Sequence, residues 1–153
     1  MPRYLLLILL ATLIGCSMPQ RTQNFGDTQV DWVTLENGEQ LAKESGKPLL
    51  VDFFVKEGCG RCEKMDANIY NEPQIANYIN THFVPVRIDL EGGMTKTEAA
   101  LGKRYDYRYE CLLLVLDSNM NVINDEEAGN LCFASTLKPE AFIGYLERTV
   151  AKM

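Results

Sequence analysis

Apolar and polar residues follow one another along the chain in blocks, and these blocks predict alternating helices and strands. Residues 31–46 carry apolar side chains among charged ones and end in Gly46, which is typical of a helix C-terminus. The next block, KPLLVDFFV at residues 47–55, is an apolar run broken by Asp52. Such a run predicts a strand that is buried on both faces, as in a parallel sheet.

The remaining blocks extend this pattern to the end of the chain. Cys59 stands where a helix would begin, and three residues follow on one helical face at spacings of three and four: Cys62, Met65 and Ile69. Further helices are predicted from Pro73, over 95–105 and over 138–153, with a strand over 81–90 and a hairpin formed by 111–117 and 121–125. This order predicts an α/β domain with a central mixed β-sheet flanked by helices on both faces.

The N-terminus has the features of an export signal. Arg3 precedes an apolar run, residues 5–14, that is too short to span a bilayer comfortably and fits the core of a secretory signal peptide. The run stops at LIGC, residues 13–16, which resembles the lipobox of bacterial lipoproteins. That resemblance implies a signal peptide at 1–15, cleaved before Cys16, and acylation of the new N-terminal cysteine. An ordinary signal peptide with a chance cysteine, or a short membrane anchor, is the alternative interpretation.

After such a cleavage the chain would consist of a tether and one domain. Residues 17–30 are polar and lack periodicity. We therefore interpret residues 16–30 as a lipidated Cys16 followed by a flexible tether, and residues 31–153 as the domain. The net charge of −6, from 15 Lys and Arg against 21 Asp and Glu, argues against a nucleic-acid partner. Two acyl chains hold a protein stably at a membrane, so we expect attachment through lipid rather than through charge.

Three stretches of the sequence are similar to a known family: GKPLLVDFF at 46–54, CGRC at 59–62 and NEPQIANYINTHFVPVRIDLE at 71–91. In type and order they resemble the thioredoxin-like superfamily, and most closely the C-terminal thioredoxin-like domain of the thiol:disulfide interchange protein DsbD and its stand-alone relatives. The likeness covers about Asp31 to the end of the chain. It implies a thioredoxin-like fold, no cofactor, and protein thiols or disulfides as substrates.

The CGRC stretch has the spacing of a redox-active dithiol. A thiolate at a helix N-terminus faces unpaired backbone N–H groups and the positive end of the helix dipole, which lower its pKa. Cys59 would be that thiolate and attack a substrate disulfide, and Cys62, one turn further on, would resolve the mixed disulfide. Arg61 would favour the thiolate through its permanent charge. The alternatives are an inert structural disulfide and a zinc half-site, which would need a second ligand pair at similar spacing.

Asp52 is the predicted proton acceptor of the resolving thiol. A carboxylate inside the apolar run would be buried, and burial would raise its pKa. The resemblance implies the same role, because Asp52 takes the place of the buried acid of thioredoxins on this strand. Two features of the stretch from Asp52 to Cys59 depart from the family. Seven positions separate Asp52 from Cys59, one more than is usual there, and Gly58 stands in the place of a tryptophan.

Cys111 and Cys132 are the remaining cysteines. The resemblance places Cys111 where the family has a cis-proline opposite the dithiol. A cis bond before a non-proline residue costs roughly 2.5–4 kcal/mol, so we expect a trans bond there and a reshaped substrate groove. Cys132 would lie close to the same loop. The two cysteines could form a structural disulfide, act as a second dithiol that exchanges electrons with the first, remain unpaired, or complete a four-thiolate metal or iron–sulfur site.

Together these features predict a thiol:disulfide oxidoreductase, anchored by lipid in a bacterial cell envelope and facing the periplasm or the cell exterior. Reduction of protein disulfides is favoured over oxidation or isomerisation, because the related domains pass electrons outward. Such a reductase would need a separate electron donor in the membrane. The alternative is a non-catalytic binding protein or metal carrier that uses the cysteine cluster. His82, the only histidine, is expected at the start of a strand and outside the site.

Overall fold

The computed structural model describes residues 25–105, 112–123 and 138–153. Within these ranges the chain forms, in order, α1 Leu35–Ser45, β1 Leu49–Phe54, α2 Gly60–Met65, α3 Pro73–His82, β2 Val84–Asp89, α4 Lys96–Arg104, β3 Leu113–Leu116 and α5 Pro139–Val150. A π-helical segment, Asp66–Tyr70, continues α2. The helices and the first two strands that the apolar pattern predicts are confirmed.

Strand β1 is the centre of the sheet. It pairs in parallel with β2, where Asp52 lies opposite Arg87, and antiparallel with β3, where Asp52 lies opposite Leu113. A single parallel bridge between Val33 and Val86 extends the sheet on the far side of β2. The predicted mixed sheet is therefore confirmed, and its central strand carries the predicted buried acid.

The predicted hairpin is present in part. After β3 the Asp117 carboxylate accepts hydrogen bonds from the backbone N–H groups of Asn119 and Asn121, and bonds from Asn121 hold the pKa of Asp117 below its usual value. A single bridge between Leu116 and Val122 then pairs the two arms. The end of the predicted second strand, at residues 124–125, lies outside the described residues.

The two faces of the sheet carry two separate apolar cores. Successive side chains of a strand point to opposite faces, and every residue of β1 is buried. Leu49, Val51 and Phe53 point to the face that α1 and α4 cover, whereas Leu50 points to the face that α3, α5 and the end of α2 cover. The predicted arrangement of helices on both faces is confirmed.

Helix α1 lies close to the sheet because of its capping residues and one internal glycine. Thr34 accepts a hydrogen bond from the N–H of Asn37 at the N-terminus, and Gly46 ends the helix in the left-handed region at φ 71°, as predicted. A Cβ at Gly38 would lie 2.3 Å from Cγ2 of Val86 on β2. The approach of α1 to β2 therefore requires glycine at this position.

Helix α2 begins shortly after the end of β1 and carries both cysteines of the predicted dithiol. Cys59 is its N-cap residue, and Cys62 and Met65 are buried on its inner face, as their spacing predicts. The π-helical segment that follows begins at Asp66 and forms a wider helical turn. In this turn the Asp66 side chain reaches Arg87 on β2.

Residues 25–33, which we call the N-terminal strap, pack against the domain before α1. Val30 and Trp32 are buried in the core that includes α3. The Asn80 side chain on α3 accepts a hydrogen bond from the N–H of Asp31 and donates one to the carbonyl of Gln29. Packing thus begins within the range interpreted from the sequence as tether, and residues 16–24 lie outside the described part of the chain.

Candidate active site

Cys59 and Cys62 form a disulfide at the N-terminus of α2. Their Cα atoms lie 5.3 Å apart, within the usual range for disulfides. The backbone N–H of Cys62 donates a hydrogen bond to Sγ of Cys59 at 3.2 Å. In the reduced protein this N–H and the helix dipole would stabilise negative charge on the same sulfur. The local geometry therefore favours Cys59 as the thiolate.

The disulfide is nearly buried but flanked by open positions. The exposed fractions are 5% for Cys59 and 4% for Cys62, and both pack against Phe54 at the end of β1. Gly58 and Gly60 are exposed, and a Cβ at either position would meet nothing within 4 Å. A partner protein could therefore approach the disulfide along these two glycines.

The loop between β1 and α2 is held by a residue that the sequence analysis missed. Oε2 of Glu91, in the loop after β2, accepts hydrogen bonds from the N–H groups of Lys56 and Glu57 at 2.9 and 3.2 Å. Gly58 follows at φ 76°, in the region where a tryptophan would be strained. No local pattern marks Glu91, because its contacts lie 34 and 35 positions away.

Asp52 is buried, as predicted, on the sheet face that α2 covers. It is 5% exposed, and its Oδ2 accepts a hydrogen bond from Nε of Arg87 at 2.9 Å. Burial raises the pKa of Asp52 above its usual value, although the charge of Arg87 opposes this shift. Phe54, two positions further along the same face, packs on the disulfide. Asp52 and the disulfide therefore share one face of β1.

Arg87 is the main residue of the site that the sequence analysis missed. It is fully buried and donates hydrogen bonds to Asp52, to Asp66 Oδ1 and to the backbone carbonyl of Phe25. Three aromatic rings surround its guanidinium, with centroids 4.0, 4.6 and 5.2 Å away: those of Phe54, Trp32 and Tyr70. One signal in the sequence could have identified Arg87, because it is a basic residue inside the apolar run that forms β2. Its position opposite Asp52 follows only from the strand register.

Asp66 is the second carboxylate on this guanidinium. It is partly buried, and burial raises its pKa above the usual value while the hydrogen bond from Arg87 acts in the opposite direction. Two carboxylates thus share one positive charge. The group is negative when both are ionised and neutral when one holds a proton, which favours the retention of one proton between Asp52 and Asp66.

The stability of the protein should fall as the pH rises through the titration of Asp52. Because burial raises the pKa of Asp52, the folded state holds its proton more tightly than the unfolded chain does. This stabilisation is complete below the usual pKa of 3.8 and is lost as the pH rises through the higher folded value. Asp52→Asn should reduce the slope of the free energy of unfolding against pH, measured by urea denaturation, in the range above pH 3.8 in which Asp52 titrates in the folded protein. Asp31→Asn, at an exposed position, should keep it, and an unchanged slope in Asp52→Asn would contradict the expectation.

Arg61 and His82 are both exposed. Arg61 is exposed between the cysteines, so solvent screens the effect of its charge on the thiolate. The prediction that His82 starts a strand is wrong: it is the last residue of α3, exposed, with its ring 4.4 Å from that of Tyr78. The helix continues to His82 because the N–H of Phe83 still bonds to the carbonyl of Ile79.

Three cysteines of the sequence analysis, Cys16, Cys111 and Cys132, lie outside the described residues. Lipidation, the trans bond before Cys111 and the state of Cys111 and Cys132 therefore stay predictions. In the part of the chain that the structure describes, no three His, Cys, Asp or Glu side chains are grouped so as to hold a metal ion. None of the helices described there has the length and apolar character needed to cross a membrane.

The fold and the site together define a class of protein. A mixed sheet covered by helices, with a Cys-x-x-Cys disulfide at the start of the helix that follows the central strand, is the thioredoxin fold of disulfide oxidoreductases. The family model described as thioredoxin-like matches residues 31–118, and the chain belongs to this thioredoxin-like family. The fold that the sequence predicts is therefore confirmed.

Solved structures share this fold over most of the chain. A DsbH oxidoreductase is 15% identical with a TM-score of 0.63, covering 88% of this chain and 93% of its own. A thioredoxin from Thermus thermophilus is 22% identical with a TM-score of 0.62, covering 81% and 89%. The oxidised C-terminal domain of DsbD from Neisseria meningitidis is 22% identical with a TM-score of 0.55, covering 74% and 90%. At these identities the likeness establishes the fold. No curated protein matches the chain.

Proposed function

We propose that this protein is a thiol:disulfide oxidoreductase that uses Cys59 and Cys62 as its redox couple. The observation that carries the proposal is their disulfide at the N-terminus of α2, where the N–H of Cys62 bonds to Sγ of Cys59. A staple serves a protein best when it closes a long loop, because the unfolded chain then loses more entropy. This disulfide joins residues only three positions apart, which favours a redox role over a structural one.

In the reductive direction the reaction has two steps. The Cys59 thiolate attacks one sulfur of a substrate disulfide, so that a mixed disulfide forms, the substrate S–S bond breaks and the other substrate sulfur leaves as a thiolate. The Cys62 thiolate then attacks Sγ of Cys59, forms the intramolecular disulfide and releases the first substrate sulfur as a thiolate. Two electrons pass from the dithiol to the substrate. The thiol of Cys62 must lose its proton before the second step.

Asp52 is the proposed acceptor of this proton. It shares a sheet face with the disulfide, and burial raises its pKa, which brings its proton affinity closer to that of a thiol. Arg87 holds the carboxylate in one orientation through the bond from Nε. At the exposed end of the site, Arg61 adds a screened positive charge that favours the Cys59 thiolate.

We further propose that the protein reduces protein disulfides in a bacterial cell envelope, to which lipid on Cys16 attaches it. The apolar segment before LIGC and the resemblance to the DsbD domain support this direction and location. A reductive cycle needs a dithiol protein of the membrane as donor. That donor would reduce the Cys59–Cys62 disulfide by the reverse exchange, give up two electrons and become a disulfide itself.

A redox titration of the full-length chain in detergent tests the proposal. The protein is equilibrated in glutathione buffers, alkylated, and each cysteine is assigned by mass. We expect a two-electron couple at Cys59–Cys62 with a midpoint between about −120 and about −270 mV, the range of exchange catalysts, and its position in that range separates oxidant from reductant. A pair that resists both oxidation and reduction, or that stays bound to metal, would overturn the proposal in favour of a binding protein or metal carrier.

A further inference from the structure

The N-terminal strap contacts Arg87 from both of its ends. At one end the carbonyl of Val33 accepts a hydrogen bond from the backbone N–H of Arg87 at 3.1 Å. At the other end the carbonyl of Phe25 accepts one from Nη1 of the same residue. Between them the ring of Trp32 covers the guanidinium at 4.6 Å. A segment that precedes the central strand thus forms one wall of the buried charge cluster.

The strap fits the cluster closely at Gly26. This residue adopts φ 82°, and a Cβ there would lie 3.3 Å from Nη1 of Arg87 and 3.3 Å from Oδ2 of Asp66. The strap is also anchored away from the cluster, since the Asn80 side chain on α3 accepts a hydrogen bond from the N–H of Asp31 at 3.0 Å and donates one to the carbonyl of Gln29 at 3.1 Å. Close approach at one point and independent anchoring beside it give the strap a fixed position over Arg87.

We propose that the N-terminal strap is a positioning element of the redox site: it holds Arg87 between Asp52 and Asp66 and so sets the pH range in which Asp52 accepts the proton of Cys62. This inference rests on the proposed function of Asp52. Its physical basis is the full burial of Arg87. A buried guanidinium needs protein acceptors for its donors, so without the Phe25 carbonyl Nη1 would lose its partner and the side chain its alignment.

The charged and titratable groups that face Arg87 are Asp52 from β1 and Asp66 and Tyr70 from the π-helical segment. From the strap, the ring of Trp32 and the carbonyl of Phe25 face Arg87, and both are neutral. The two acidic residues of the strap, Asp27 and Asp31, are exposed. A displaced guanidinium would attract the two carboxylates less strongly. Their proton affinity would then rise, and Asp52 would stay protonated, and unable to accept a proton, up to a higher pH.

Two glycine substitutions provide a matched test in the full-length chain. Gly26 and Gly46 both have positive φ, 82° and 71°, so alanine is strained at each. A Cβ at Gly26 would press on the cluster, whereas one at Gly46 meets nothing within 4 Å. Carbon-13 NMR of the Asp carboxyl groups in the reduced protein would follow the titration of Asp52. Stopped-flow measurement would follow the resolution of a Cys59 mixed disulfide against pH.

We expect Gly26→Ala to raise the titration midpoint of Asp52 by about one pH unit, a tenfold change in proton affinity, and to move the rising limb of the resolution rate with it. Gly46→Ala should leave both unchanged. Trp32→Phe, which keeps an aromatic ring in the strap, should shift both in the same direction by less. The inference would be overturned if the titration midpoint of Asp52 moved in neither glycine variant, or equally in both. It would also be overturned if that midpoint moved in Gly26→Ala while the pH dependence of mixed-disulfide resolution did not. Because the carboxyl titration needs no substrate, loss of the strap effect is distinguishable from failure of the proposed exchange activity.

Discussion

Replacing Cys59 by serine should abolish disulfide exchange, with a fall in turnover of roughly a thousandfold or more, since a hydroxyl supplies no comparable nucleophile at neutral pH. The N–H of Cys62 and the helix N-terminus would still face the side chain at position 59, but they would have no thiolate to stabilise. Turnover of a model protein disulfide, measured with a dithiol reductant in excess, checks this result.

Replacing Cys62 by serine should give a different outcome from the same assay. The first attack by Cys59 would proceed, but no second thiol would resolve the mixed disulfide, so a covalent adduct with substrate should accumulate and be visible by mass. Glu63→Gln changes an exposed neighbour of Cys62 and should turn over substrate like the wild type. Turnover that survives in Cys59→Ser would contradict the assigned nucleophile. Failure of Cys62→Ser to form an adduct would contradict the order of the two steps.

Replacing Arg87 by methionine should destabilise the protein by about 3–5 kcal/mol, because it leaves buried carboxylate charge without its partner. Arg87 is fully buried, and Asp52 is 5% exposed, so water cannot replace the lost contact. Without the guanidinium the pKa of Asp52 would rise further, and the loss of stability should be greater at pH 8 than at pH 5. Urea denaturation at the two pH values measures both effects.

A double substitution separates the charge effect from the loss of packing. Asp52→Leu combined with Arg87→Met removes both members of the more deeply buried ion pair, and Asp66, which is partly exposed, can turn to solvent. The double variant should therefore recover most of the stability lost in Arg87→Met. Arg104→Met, at an exposed position on α4, should change stability little. If Arg87→Met proved as mild as Arg104→Met, the buried cluster would not hold the fold together as described.

The sequence determined the elements of the domain because their signals are local. The apolar run of β1, Pro73 at the start of α3 and Gly46 at the end of α1 each act within a few residues, and each is found where it was predicted. The same holds for the pair Cys59 and Cys62: Cys59 is the N-cap of α2 and Cys62 lies in its first turn, as the local pattern predicts. His82 shows the limit of such signals, because boundaries between adjoining elements depend on the last hydrogen bonds of a helix.

The burial of Asp52 also followed from its place in the apolar run, whereas its partners did not. Arg87 lies 35 positions from Asp52, 21 from Asp66 and 62 from Phe25, and neither periodicity nor spacing connects residues over such distances. Strand register, the π-helical turn and the path of the strap bring them to one point. By itself, then, the sequence determined the strands, the helices, the dithiol and a buried acid, because these depend on neighbours in the chain. Only the tertiary structure decided which charges face that acid, because such contacts form when segments distant in the sequence pack together.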